Sequence, residues 1–103
     1  MDDGAYVGWH LISSHGLTLL CVARNPGATL LEVSQRTGLT PRRIGQIVRD
    51  LHDANLFSVE RQGRRNTYRL NRFARLHEVS MPNSTLGDFL DLFAAAGAIY
   101  ESS

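Results

Sequence analysis

The stretch that decides how this chain folds is residues 29–71, TLLEVSQRTGLTPRRIGQIVRDLHDANLFSVERQGRRNTYRLN. Thr29-Leu30-Leu31-Glu32 is a capping box, in which hydroxyl and carboxylate each accept a hydrogen bond from an orphan backbone N–H. It predicts a short helix with Leu30, Val33 and Thr37 along one side, ended by Gly38. Ala28 and Thr29 before it are expected to form a very short strand. Leu39 then leads to Thr40-Pro41, an N-cap followed by proline at the first helical position, where a missing N–H costs nothing. The next helix is predicted over residues 41–54. Ile44, Ile47, Val48 and Leu51 follow the i, i+3, i+4, i+7 rule and define its buried side. Two short helices joined by Thr-Gly-Leu-Thr form a helix-turn-helix. Asn55 is expected to stop the second, and Phe57/Val59 then alternate with Ser58/Glu60 as in a strand. Gly63 marks a turn whose tip is predicted over residues 62–66, and Tyr68 and Leu70 share one side of the returning strand.

Working outward, Ser13 or Ser14 caps a first helix reaching about Arg24. Leu17, Leu20 and Cys21 lie at helical spacing, and Leu19 and Val22 broaden its apolar surface. Asn25-Pro26-Gly27 ends it. Residues 1–12 are read as an N-terminal extension whose Trp9, Leu11 and Ile12 need something to pack on. Residues 13–75 form the expected domain and residues 76–84 a linker broken by Pro82 and Asn83. Residues 85–103 carry a last helix, opened by Thr85 and Asp88 in the manner of a capping box and running to about Ala96. Its stripe of Leu86, Phe89, Leu90 and Phe93 folds back on the domain or meets a second subunit; the second arrangement is the expected one, with Leu92, Ile99 and Tyr100 adding apolar surface. The fold class is thus α+β, mainly helical, in the order helix, short strand, helix, helix, strand, strand, helix.

The net charge of +1 conceals a strong asymmetry. Arg36, Arg42, Arg43, Arg49, Arg61, Arg64, Arg65, Arg69, Arg72 and Arg75 face only Asp50, Asp53 and Glu60, giving residues 36–75 a charge of +7. Everything else sums to −6, with Arg24 against seven acids. Such a basic block is the electrostatic footprint of a polyanion binder. Arg42, Gln46, Arg49 and Asp53 lie opposite the buried stripe of helix 41–54, with Arg43 to one side. Arginines in a helix's first turn oppose its dipole at about 0.3–1 kcal/mol each. A helix that tolerates Arg42 and Arg43 there has a use for the charge. Arginine reads guanine and glutamine reads adenine in the major groove, while arginines on a hairpin tip suit the backbone or the minor groove. The candidate DNA contacts are therefore Thr40, Pro41, Arg42, Arg43, Gln46, Arg49, Arg61, Arg64, Arg65 and Asn66.

The order of helix, short strand, helix-turn-helix and basic hairpin resembles the winged helix-turn-helix of bacterial transcriptional regulators, most nearly the MarR-like group and next the ArsR-like group. Leu30, Val33, Gly38, Leu39, Thr40, Ile44, Val48, Leu51, Leu56, Val59, Gly63, Arg64, Arg65, Asn66 and Tyr68 carry the resemblance. It implies a sequence-specific double-stranded DNA-binding regulator, a homodimer acting as a repressor. Helix 41–54 would lie in the major groove and the wing on the backbone or minor groove. Leu86, Phe89, Leu90 and Phe93 would supply dimerisation. MarR-like proteins are usually longer, and the Cys or His clusters of ArsR-like metal sensors are missing. The competing reading is a winged-helix protein–protein interaction module; arginine at both the second helix and the wing favours DNA.

Other classes find little support. One cysteine, Cys21, forms no intramolecular disulfide and no multi-cysteine zinc site. His10, His15, His52 and His77 have no i, i+4 pairing. Asp50 and Asp53 read as helix-surface charges beside arginines rather than as a catalytic pair. No phosphate-binding glycine loop or nucleophile elbow occurs, so neither an enzyme nor a cofactor is expected, and no small-molecule effector site declares itself. No apolar run approaches the ~20 residues that span a bilayer, and the acidic start lacks an export pattern. A cytoplasmic location is the expectation.

Overall fold

Each helix begins where its cap places it. The computed structural model describes residues 12–76 and 83–95. All of the predicted extension except Ile12, most of the 76–84 linker, and the tail beyond residue 95 lie outside the described residues. Helix α1 (Ser14–Arg24) is capped by Ser13, whose hydroxyl accepts from the Gly16 N–H. Helix α2 (Leu30–Thr37) has the full capping box: the Thr29 N–H donates to Glu32 Oε1 at 2.8 Å and the Glu32 N–H to Thr29 Oγ1 at 3.1 Å. Gly38 closes it at φ 79°, a left-handed geometry that glycine adopts without a Cβ clash. Helix α3 (Pro41–Asp53) starts on Thr40, which accepts from the Arg43 N–H, and proline sits in its first turn. Asn55 turns the chain out at φ 66°.

Strands β1 (Phe57–Gln62) and β2 (Arg65–Leu70) pair antiparallel, with Phe57 opposite Leu70, Val59 opposite Tyr68 and Gln62 opposite Arg65. Only Gly63 and Arg64 remain for the turn. The tip expected over residues 62–66 is therefore a two-residue loop, with glycine first at φ 63°, the pattern of a tight hairpin turn matched to strand twist. Gln62, Arg65 and Asn66 belong to the ladder. The hairpin is anchored at its root: Phe57 and Tyr68 are buried and meet edge to face at 5.1 Å. Val59, farther out, is 37% exposed.

The core runs through α1, α3, the hairpin root and the last helix, α4 (Leu86–Ala95). Leu19, Val22, Ile47, Leu51, Leu56, Phe57, Tyr68, Ala74, Leu86 and Leu90 form one cluster. Ala28, Val33 and Ile44 form a smaller one beneath α2. In α1 the buried side centres on Thr18, Leu19 and Val22, one step round from the Leu17/Leu20 side expected. Thr18 is tolerated there because its hydroxyl donates to the Ser14 carbonyl at 2.9 Å. Ile44, Ile47 and Leu51 together outweigh the first-turn arginines of α3: each buried aliphatic contributes about 1.5–3 kcal/mol, each misplaced charge costs about 1 kcal/mol or less.

Two expectations are corrected. No strand forms at Ala28 and Thr29; the Ala28 N–H closes a turn onto the Asn25 carbonyl, and the Tyr68 N–H reaches back to the Pro26 carbonyl as a single bond, 3.0 Å. The second concerns α4. Leu86 is 0% and Leu90 4% exposed within this one chain, so neither is free to dimerise. The backbone explains why. Arg75 and Thr85 form an antiparallel bridge, and the Leu86 and Gly87 N–H groups donate to the Ala74 and Arg72 carbonyls. The orphan donors of the first turn are thereby tied to the body of the domain. Thr85 and Asp88 form the expected cap, and Arg72 pairs with Asp91. Phe89 and Phe93 are half-buried and pack on each other at 5.0 Å; Leu92 is 64% exposed.

Candidate nucleic-acid interface

Helix α3 carries its apolar residues inward and leaves Pro41, Arg42, Arg43, Gln46 and Arg49 exposed. Among the described residues the side chains of Arg42, Arg43 and Arg49 make no hydrogen bond or ion pair. No described residue neutralises their charges. Thr40 stands at the head of the row; one lone pair of its hydroxyl is engaged in capping, and its O–H remains free to donate outward. The carboxylates of the same helix turn elsewhere. Asp50 Oδ2 lies 2.8 Å from His15 Nε2 of α1, and Asp53 lies 3.6 Å from His52. Their partners are histidines rather than the arginines expected.

The hairpin arginines, grouped together by sequence, separate into two kinds. Arg64, on the loop, is exposed and makes no hydrogen bond or ion pair among the described residues. Arg61 Nε donates to the Gly63 carbonyl at 3.1 Å and clamps the turn. Arg69 pairs across the ladder with Glu60 at 3.3 Å. Arg65 reaches back 38 residues in sequence, its Nη1 donating to the Gly27 carbonyl at 2.9 Å. Asn66 lies opposite Arg61 in the ladder, and its side chain bonds to Tyr68, whose hydroxyl burial nevertheless pushes up in pKa. Nothing in the sequence separated Arg65 from Arg64; strand pairing did.

Arg65 therefore ties the wing to the turn before α2. A cleft of about 170 Å³ lies beside this tether, bordered by Thr29, Leu30, Arg64 and Tyr68. That is below the ~300 Å³ at which small-molecule pockets usually begin. The Glu32 carboxyl nearby is held below its ordinary pKa, chiefly by the Thr29 backbone N–H, with the Thr29 hydroxyl, Arg65 and Arg36 adding to it. The tether has a direct test. Arg65→Ala should cost about 1 kcal/mol of stability and move the Ala28 amide resonance, which senses the Gly27 carbonyl; Arg64→Ala should leave that resonance in place. An Ala28 signal indifferent to Arg65→Ala would mean that the tether does not form in solution.

Cys21 is half-buried against the smaller cluster. Burial pushes its thiol pKa up, against the opposing pull of Arg36 and Arg24, which disfavours the reactive thiolate. Among the described residues no group of three or more His, Cys, Asp or Glu side chains is placed to hold a metal ion. No helix among them is long and apolar enough to cross a membrane.

The chain is thus a small α+β domain of three helices, an antiparallel hairpin and a final helix, compatible with a winged-helix arrangement. No family model matches it, and no curated protein sequence does either.

Proposed function

We propose that this protein binds double-stranded DNA sequence-specifically and regulates transcription, as a MarR-like winged helix-turn-helix protein would. The observation that carries the reading is the distribution of unneutralised charge. Arg42, Arg43 and Arg49 on α3 and Arg64 on the hairpin tip are exposed and unpaired among the described residues, while Arg61, Arg65, Arg69 and Arg72 are bonded within the domain. Like charges held without counterions repel one another, and a phosphate backbone relieves that repulsion while releasing its own counterions. An exposed helix has the width the major groove admits. In this reading Arg42, Gln46 and Arg49 read base edges, and Arg43, Thr40 and Arg64 contact phosphates. Arg65 and Arg61 set the attitude of the wing rather than touching DNA.

Occupancy of a promoter would repress by excluding polymerase. A homodimer suits such an activity, because paired recognition helices read half-sites about one helical turn apart. With Leu86 and Leu90 in the domain's own core, exposed Leu92 and Phe73 and the half-buried Phe89–Phe93 pair are apolar surface that, among the described residues, a contact between copies could use. Enrichment from a random duplex pool tests both parts. The expected product is a motif repeated with two-fold symmetry at about one-turn spacing. A motif without symmetry would contradict the dimer, and retained duplexes without any motif would contradict sequence-specific reading.

A further inference from the structure

Glycine is the poorest helix former after proline, so a glycine inside a helix calls for a reason. Among the described residues three lie inside helices, and two have one within the fold. A Cβ on Gly16 would come 2.7 Å from Ile12 Cγ2, and one on Gly87 would come 3.1 Å from the Arg72 carbonyl oxygen. Gly45, in the middle of α3, is different. Its φ is not positive, and a Cβ built there meets no atom within 4 Å. Among the described residues nothing requires its side chain to be missing.

Its surroundings suggest what does. Gly45 is three residues after Arg42 and four before Arg49, so at helical spacing it flanks the Arg42/Gln46/Arg49 row on the side toward Val48. Both arginines are exposed and unpaired among the described residues. The helix therefore presents Arg42, Gln46 and Arg49 in one row with bare main chain directly beside it at Gly45. A side chain at residue 45 would hold the helix axis away from whatever the two guanidinium groups grip.

We infer that Gly45 is a specificity-determining residue: its missing side chain lets major-groove base edges come against the main chain of α3 beside Arg42 and Arg49. The inference rests on the DNA-binding reading above. A base edge touching the helix here brings both guanidinium groups to bidentate range of neighbouring bases. Backing the helix away by the thickness of a side chain loses both contacts, while phosphate contacts at the periphery, longer and more adaptable, persist.

The test uses Gly45→Ala and Gly45→Leu in the full chain, with the duplex enriched from the random pool and a scrambled duplex of equal length. Both replacements are good helix formers and should raise the thermal midpoint by about 4 °C. Both should nevertheless weaken binding to the enriched duplex, by roughly tenfold for alanine and roughly a hundredfold for leucine, with little change on the scrambled one. A variant more stable than the wild type yet poorer at reading sequence cannot be explained by unfolding. Gly45→Leu binding the enriched duplex as tightly as the wild type would overturn the inference. So would a lowered thermal midpoint, because glycine would then be serving the fold. If the wild type itself retains no duplex, the DNA-binding reading fails first and this inference with it.

Discussion

Leu86→Ala should lower the unfolding free energy by about 2–5 kcal/mol, the range for emptying a fully buried leucine position. Against the 5–15 kcal/mol that holds a domain of this size together, such a loss leaves a marginal protein. Leu86 is completely buried and Leu90 nearly so, both in the cluster that holds Ile47, Leu51 and Phe57. Leu92→Ala, two residues beyond Leu90 but 64% exposed, should change stability by no more than about 0.5 kcal/mol. Urea unfolding of the three proteins at two concentrations distinguishes the alternatives. A destabilisation by Leu86→Ala that is the same at both concentrations agrees with α4 as part of the domain's own core. A destabilisation that changes with protein concentration would mean that α4 is buried by a second subunit instead.

The second large effect concerns recognition. Arg42→Ala and Arg49→Ala should each weaken binding to the enriched duplex by about 1–3 kcal/mol and relax the preference at one base position. Arg64→Ala should weaken all duplexes alike and reduce the salt dependence by about one ion. The physical basis is the same for all three: an exposed cation that no described residue neutralises. Only the surface it is mounted on differs, helix or hairpin loop. Competition binding with single-base variants of the duplex separates the two roles. If Arg42→Ala lost affinity uniformly, α3 would be touching backbone and the assignment of base reading to it would be wrong.

What was legible in the sequence was local. Thr29 with Glu32, Thr40 with Pro41, Gly38 and Asn55 each determine backbone geometry within a few residues, and helices α2 and α3 begin and end at them. The inward stripe of α3 was legible for the same reason. What failed required knowledge of the far side of a contact. Periodicity says that the Leu86/Leu90 stripe of α4 is covered; it does not say by what, and the answer came from backbone bonds to Arg72 and Ala74. The adjacent Arg64 and Arg65 look alike in sequence, yet a two-residue turn puts one on the loop and the other in the ladder, within reach of Gly27. Asp50 found His15 on α1, 35 residues away, rather than an arginine of its own helix. The expected strand at Ala28 gave way to a turn closed by Asn25. Gly45 carried no expectation in the sequence; the empty space around its position is what raises the question of a partner.

The central claim is that the exposed arginines of α3 and the hairpin tip meet the phosphates and bases of duplex DNA. The most direct measurement is the affinity for a duplex across a range of salt concentrations. The two arginines assigned to phosphates, Arg43 and Arg64, predict that log K falls linearly with log salt, with a slope of about −1.8 per protomer. The slope should shrink by about one for each of Arg43→Ala and Arg64→Ala. Binding that is absent at low salt, or that is indifferent to salt throughout, would contradict the account.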